Sequence, residues 1–205
     1  MMPSLELVNN LIMFITSTIS NSGYLGIFFL MVAEGMSLPF PSEVILPYSG
    51  YLIFTNKLNL WYVIVASSLG NLVGAIIFYF IGSYLGPEFV LRYGKYIFLK
   101  KKHVELTERY FQKYGDGSVF IARLLPIVRG PISLPAGLAK MKMKKFIIYT
   151  LSGSTIWNLS LIYIGLELGN HWKNILHYSG YFDVIAIVFV LFFIAFLIRK
   201  IKSKN

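Results

Sequence analysis

Apolar residues run along this chain in blocks too long for a soluble core helix. Leu60 to Leu85 and Phe146 to Leu166 contain no Asp, Glu, Lys or Arg at all. As a helix the first block is about 39 Å long at ~1.5 Å per residue, enough to cross a hydrocarbon core of ~30 Å. A third run, Val184 to Ile198, is shorter and ends in Arg-Lys-Ile-Lys-Ser-Lys. The pattern therefore predicts transmembrane helices over 59–86, 145–169 and 181–199.

Two further apolar stretches are interrupted. Phe28 to Gly50 carries Glu34 and Glu43 together with Pro39, Pro41 and Pro47, and Val119 to Ala139 carries Arg123 and Arg129 together with Pro126, Pro131 and Pro135. Prolines at this density exclude one continuous helix, and backbone at bilayer depth must satisfy its own polar groups. Each stretch is expected to be a re-entrant helical hairpin, over 25–56 and 117–139, with those six prolines, Gly50 and Gly137 shaping the bends. In the first 24 residues, Val8, Leu11, Ile12, Ile15 and Ile19 oppose Asn9, Asn10, Thr16 and Ser17, which predicts an interfacial helix. Residues 100–115 interleave Glu105, Glu108, Arg109 and Lys113 with Val104, Leu106, Tyr110 and Phe111, the pattern of an amphipathic surface helix.

Charge orients these elements. The basic C-terminal run marks the cytoplasmic side, and Lys140, Lys142, Lys144 and Lys145 set the start of the 145–169 helix on that side too. The arginine hairpin, with basic residues on both flanks, then enters and leaves from the cytoplasm, and the glutamate hairpin from the outer face. The two halves also resemble copies: Tyr79 to Gly86 aligns with Ile162 to Gly169, and the same offset pairs Gly70 with Gly153. A hairpin plus a span, repeated in opposite orientation, is the sequence signature of a secondary-transporter architecture with its site where the hairpins meet. The expected fold is thus an all-α polytopic membrane protein, an inverted repeat with an additional C-terminal transmembrane helix, in one domain over 1–205.

Composition agrees. The chain of 205 residues is 56% hydrophobic and 14% charged, with mean hydropathy +0.65. A net charge of +10 would suggest nucleic acid in a soluble protein, but here the basic residues border apolar segments, so no nucleic-acid partner is expected. There is no cysteine, and His103, His171 and His177 are scattered, so neither metal nor cofactor is anticipated. The N-terminus lacks a secretory-signal pattern, and insertion is expected to rely on internal segments. No nucleophile elbow, nucleotide loop or metalloprotease motif occurs, so no catalytic residue is assigned and the protein is not expected to be an enzyme.

The chemistry rests on four charges. Two guanidiniums in an apolar setting best suit a phosphate, since each offers paired donors and never loses its charge, and a carboxylate or sulfonate would fit almost as well. A structural use competes, in which Arg123 and Arg129 neutralise Glu34 and Glu43 across the hairpin interface. The two uses combine if the carboxylates hold the arginines until a phosphate or a proton releases them. Asn71, Ser67, Ser68, Ser154 and Asn158 are expected to join helices, and Trp157 to pack or to sit in the interfacial aromatic belt.

The series Arg123-x-x-Pro126-x-x-Arg129, Ala136-Gly137, Phe146, Gly153 and Trp157, with Glu34, Pro39-x-Pro41-Ser42-Glu43 and Pro47-x-x-Gly50 upstream, resembles the DedA family of membrane proteins over residues 25 to 170. The resemblance implies opposed re-entrant hairpins, functional acidic residues at Glu34 and Glu43 that gate or couple to protons, functional arginines at Arg123 and Arg129 that grip phosphate, and lipid translocation in the plasma membrane. Family members recycle undecaprenyl phosphate to the cytoplasmic leaflet or are linked to phosphatidylethanolamine and proton-dependent homeostasis. The implied partners are a lipid, either a polyprenyl phosphate or a phospholipid, and protons, with a homo-oligomer left open. The Pro-Ser-Glu form of the acidic motif differs from the Pro-Gly-Asp form of other members. A broader phospholipid scramblase and a structural membrane scaffold remain the alternatives.

Overall fold

The computed structural model describes residues 3–93, 115–126 and 128–171, and the expected helices over 100–115 and 181–199 lie outside them. The described residues are helical with no strand: α1 (Pro3–Gly35), α2 (Ser42–Phe54), α3 (Leu60–Tyr93), α4 (Ser118–Arg123), α5 (Ser133–Leu138) and α6 (Met143–Glu167) form one compact unit. A short 3-10 turn, Leu168–His171, belongs to a second unit. Three stretches are long and apolar enough to cross a membrane: Val8–Gly35, Leu60–Tyr84 and Met143–Glu167. The protein is a helical membrane protein.

The first of these stretches is not one straight helix. Gly23, at φ 55 and ψ −127, adopts a backbone conformation that side-chain-bearing residues avoid. A Cβ on Gly26 would lie 2.8 Å from the carbonyl oxygen of Thr18, eight positions earlier. In an unbroken helix those positions stand about 12 Å apart. The limb 3–22 therefore folds back on the limb 24–35, burying Ile15 and Ile19 against Ile27, Leu30 and Met31 and leaving Val8 and Met13 exposed.

Each proline-rich stretch is a helix, a break and a second helix. In the first, α1 closes with Ser37 at φ 65 and the Leu38 N–H donating to the Ala33 carbonyl at 3.1 Å. Pro39 and Pro41 then turn the chain into α2. In the second, α4 and α5 have six residues each. Pro126 and Pro131 hold the intervening turn out of helical continuation, and Lys140, at φ 49, ends α5. These arms are much shorter than those of the first stretch.

α3 and α6 run antiparallel through the middle, with Ser68 against Thr155, Asn71 against Ser154 and Tyr79 against Phe146. One apolar cluster gathers Ile27, Met31, Ile45 and Leu46 on Val63 and Ile162. The other gathers Val119, Ala122 and Ala136 on Ala75, Tyr79 and Phe146. Buried polar residues fill the level between them.

Glycines set the helix spacing. Gly70 of α3 lies against the Phe28 carbonyl and Gly153 of α6 against the Phe120 carbonyl. Gly82 meets the Leu134 carbonyl, and Gly165 meets that of Pro47. Gly50 of α2 meets the Ile162 carbonyl, and Gly137 of α5 meets that of Tyr79. Small residues at such crossings let backbones approach where lipid supplies no hydrophobic drive. Substituting Gly50 or Gly137 by Val should cost about 1–3 kcal/mol from overpacking. Thermal unfolding in detergent should show a fall of several degrees, with Gly117→Ala, which meets nothing within 4 Å, as the unaffected control.

Candidate functional site

The turns of the two broken stretches touch. A Cβ on Gly130 would lie 2.8 Å from the Ser37 hydroxyl, so the second turn reaches the first by offering bare backbone. Arg129, one residue earlier, projects across the contact. Its guanidinium Nη2 is 2.9 Å from Glu34 Oε1 in the last turn of α1 and 3.4 Å from Glu43 Oε1 in the first turn of α2. The same nitrogen donates to the Ser42 hydroxyl, and the guanidinium carbon stands 4.9 Å from the centre of the Trp157 ring.

The two glutamates sit differently. The Glu34 side chain is 8% exposed and also accepts from the Asn71 side-chain amide, whose oxygen accepts from the Ser154 hydroxyl at 2.7 Å. The Glu43 side chain is 46% exposed. A buried carboxylate must be paired and hydrogen-bonded to persist as an ion, and Glu34 has both kinds of partner. Glu43 keeps much of its hydration and is the easier of the two to displace.

Arg123 lies elsewhere. It ends α4, is 1% exposed, and makes no ion pair among the described residues. Nη1 donates to the Arg129 carbonyl at 2.5 Å and Nη2 to the Ser133 hydroxyl at 2.6 Å. The guanidinium thus ties the end of α4 to the turn and to the start of α5, holding the backbone from which Arg129 projects. Its position is fixed by Gly153, where a Cβ would come within 2.6 Å of the Arg123 Cβ, and its charge faces Phe146 at 6.0 Å.

An open cavity of about 450 Å³ lies at the junction, lined by Glu34, Glu43, Arg129, Gly130, Ser37, Leu38, Phe40 and Leu11 with Pro39, Pro41, Pro126 and Pro131. Of the four charged residues singled out in the sequence, Glu34, Glu43 and Arg129 meet here, and Arg123 stands behind. Four of the six prolines line the cavity from the turns. Pro47 lies within α2 against Gly165, and Pro135 lies within α5. Ser42 and Ser133 were not legible as partners of the arginines, although Ser42 lies between Pro41 and Glu43. Asn71, Ser154 and Trp157, expected to be packing residues, touch the charged centre directly or through one hydrogen bond. Among the described residues no group of three His, Asp or Glu side chains is placed to hold a metal.

The VTT domain family model matches residues 40–167. The undecaprenyl phosphate transporter A of Bacillus subtilis is 35% identical over 195 residues, covering 94% of this chain and 96% of its own. The Staphylococcus aureus protein of the same name is 34% identical over 196 residues, covering 92% and 97%. A Lactococcus lactis protein named alkaline phosphatase-like is 36% identical over 204 residues, covering 93% and 94%. No solved structure matches.

Removing one partner of the buried pair should be worse than removing both. Arg129→Ala leaves Glu34 uncompensated and should destabilise the fold by about 3–5 kcal/mol, whereas Arg129→Met combined with Glu34→Leu should recover most of it. Unfolding in mixed micelles measures both variants.

Proposed function

This chain belongs to the VTT-domain, or DedA, family of membrane proteins, and on that footing we propose that it carries a phosphate-headed polyprenyl lipid of the undecaprenyl phosphate kind from the outer to the cytoplasmic leaflet. Relatives named as transporters of that lipid, aligned over more than nine-tenths of the chain, support a non-enzymatic lipid carrier. The observation that carries the reading is Arg129, held by Glu34 and Glu43 at the mouth of an open cavity in an apolar protein.

In this reading an arriving phosphate displaces the half-exposed Glu43 and takes paired donors from Arg129. The first turn of α2, which no side chain caps, adds N–H groups that favour an anion. A proton on Glu34 would remove the remaining ion pair and free Arg129 to stay with the phosphate, which couples transport to protons. Arg123 contributes from behind, as a buried positive charge and as the brace of the Arg129 backbone. A phosphomonoester carries more charge than a zwitterionic head group and makes better use of this centre.

The same reading makes the broken stretches re-entrant hairpins from opposite faces and the two halves an inverted repeat. The glycine contacts support it. Gly70, Gly82 and Tyr79 of α3 correspond at the constant offset to Gly153, Gly165 and Ile162 of α6, and each pair meets a matching carbonyl or glycine of a hairpin arm. The first arm of each hairpin packs on the long helix of its own half and the second arm on that of the other. A two-fold axis in the membrane plane, passing near Asn71 and Ser154, relates the halves. The C-terminus is then cytoplasmic and the protein multi-pass in the cell membrane.

Flipping of labelled undecaprenyl phosphate and of phosphatidylethanolamine, compared side by side in proteoliposomes of the purified chain, tests the proposal. Arg129→Ala should slow the polyprenyl phosphate about 10- to 100-fold, the worth of hydrogen bonds to a charged group. Glu34→Gln should flatten the pH dependence. Equal rates for the two lipids would defeat the selective reading, and a fully active Arg129→Ala would defeat the site.

A further inference from the structure

A continuous chain of polar contacts leads from the cavity into the middle of the protein. Arg129 pairs with Glu34 Oε1, Asn71 Nδ2 donates to Glu34 Oε2, and the Ser154 hydroxyl donates to Asn71 Oδ1. Asn71 is 3% exposed and Ser154 4%, so no solvent competes for either. The chain joins α1, α3, α6 and the turn that carries Arg129.

We propose that Asn71, backed by Ser154, is a positioning residue that holds the Glu34 carboxyl group in place whether or not it carries a proton. The inference rests on the transport reading above and goes beyond it. With Glu34 ionised, the carboxylate only accepts, and Asn71 presents its NH2 while Ser154 donates to the amide oxygen. A proton arriving from water at Oε2 turns that oxygen into a donor, which would face the NH2 hydrogens. Rotation of the amide by half a turn resolves the conflict. The Glu34 O–H then donates to Asn71 Oδ1, and Nδ2 donates to Ser154, because a hydroxyl accepts as readily as it donates. In both arrangements the Glu34 carboxyl keeps a hydrogen bond to the Asn71 amide, so losing the Arg129 ion pair does not leave a buried carboxyl unbonded.

A leucine could not do this. It would fill the space of Asn71 and pack α3 on α6, but it would offer the ionised carboxylate no donor. The other charges acting on Glu34 are Arg129 and Arg123 from the second broken stretch and Glu43 from α2. All three are retained in the variants below, so a change in titration does not come from a lost charge, and the bulky and small replacements of Asn71 together separate the lost bond from altered burial.

The test titrates Glu34 directly. Infrared spectra of the full chain in lipid nanodiscs, recorded across pH, follow the carbonyl band of the protonated carboxyl group, and Glu34→Gln identifies that band. The bond to the ionised carboxylate is the stronger of the two that Asn71→Leu removes, so the midpoint should move to higher pH by about half a unit or more. Asn71→Ala removes the same bonds with less bulk and serves if the leucine variant does not fold. A smaller shift in a folded variant overturns the inference, as does a wild-type protein with no titrating Glu34 band. Transport that is independent of pH would instead defeat the proton coupling and leave this titration readable.

Discussion

The ion pair between Arg129 and Glu34 joins the two broken stretches of the chain at a level where neither could keep its charge alone. Burying an unpaired guanidinium or carboxylate costs several kcal/mol, and here each finds the other, with Ser42, Asn71 and Trp157 around the pair. The apolar clusters on either side pack helices onto helices, whereas this centre, with the approach of Gly130 to Ser37, fixes the turn of one stretch on the turn of the other. An open cavity also reaches the buried charge here. On the transport reading proposed above, stability and anion binding depend on the same nitrogen, and a ligand that takes Arg129 loosens the contact between the turns.

The division of labour around that centre follows from geometry. Arg123 directs Nη1 to a backbone carbonyl and Nη2 to a serine of its own stretch, so it shapes the turn and lends charge without lining the cavity. Glu43 is hydrated and exchangeable, whereas Glu34 is dry and tied through Asn71 to Ser154. Two carboxylates of the same type thus sit in different surroundings, and the transport reading proposed above gives one of them the arriving anion and the other the proton.

Much of this was legible in the chain itself. The uncharged blocks gave the long helices, because only an apolar helix of that length satisfies its backbone in lipid. The prolines around Arg123 and Arg129 and around Glu34 and Glu43 gave the two breaks, and the charges inside apolar stretches gave the candidate centre. The fold-back at Gly23 was less visible. The periodicity of Val8, Leu11, Ile15 and Ile19 identified an amphipathic limb, but a glycine among small polar residues does not announce a chain reversal, and the buried face proved to centre on Ile15 and Ile19.

By itself, then, the sequence determined which residues had to leave water and which charges had to find partners, since length, hydropathy and proline placement are local properties. Which arginine meets which glutamate was decided only by the tertiary structure. The two candidates lie six positions apart on one turn, and their roles depend on the approach of Gly130 to Ser37 and of Gly153 to Arg123, contacts between residues far apart in the chain. The same holds for Asn71 and Ser154, ordinary polar residues of two separate helices: Asn71 meets Glu34 because α3 packs on α1, and Ser154 reaches Asn71 because α6 packs on α3 at the same level.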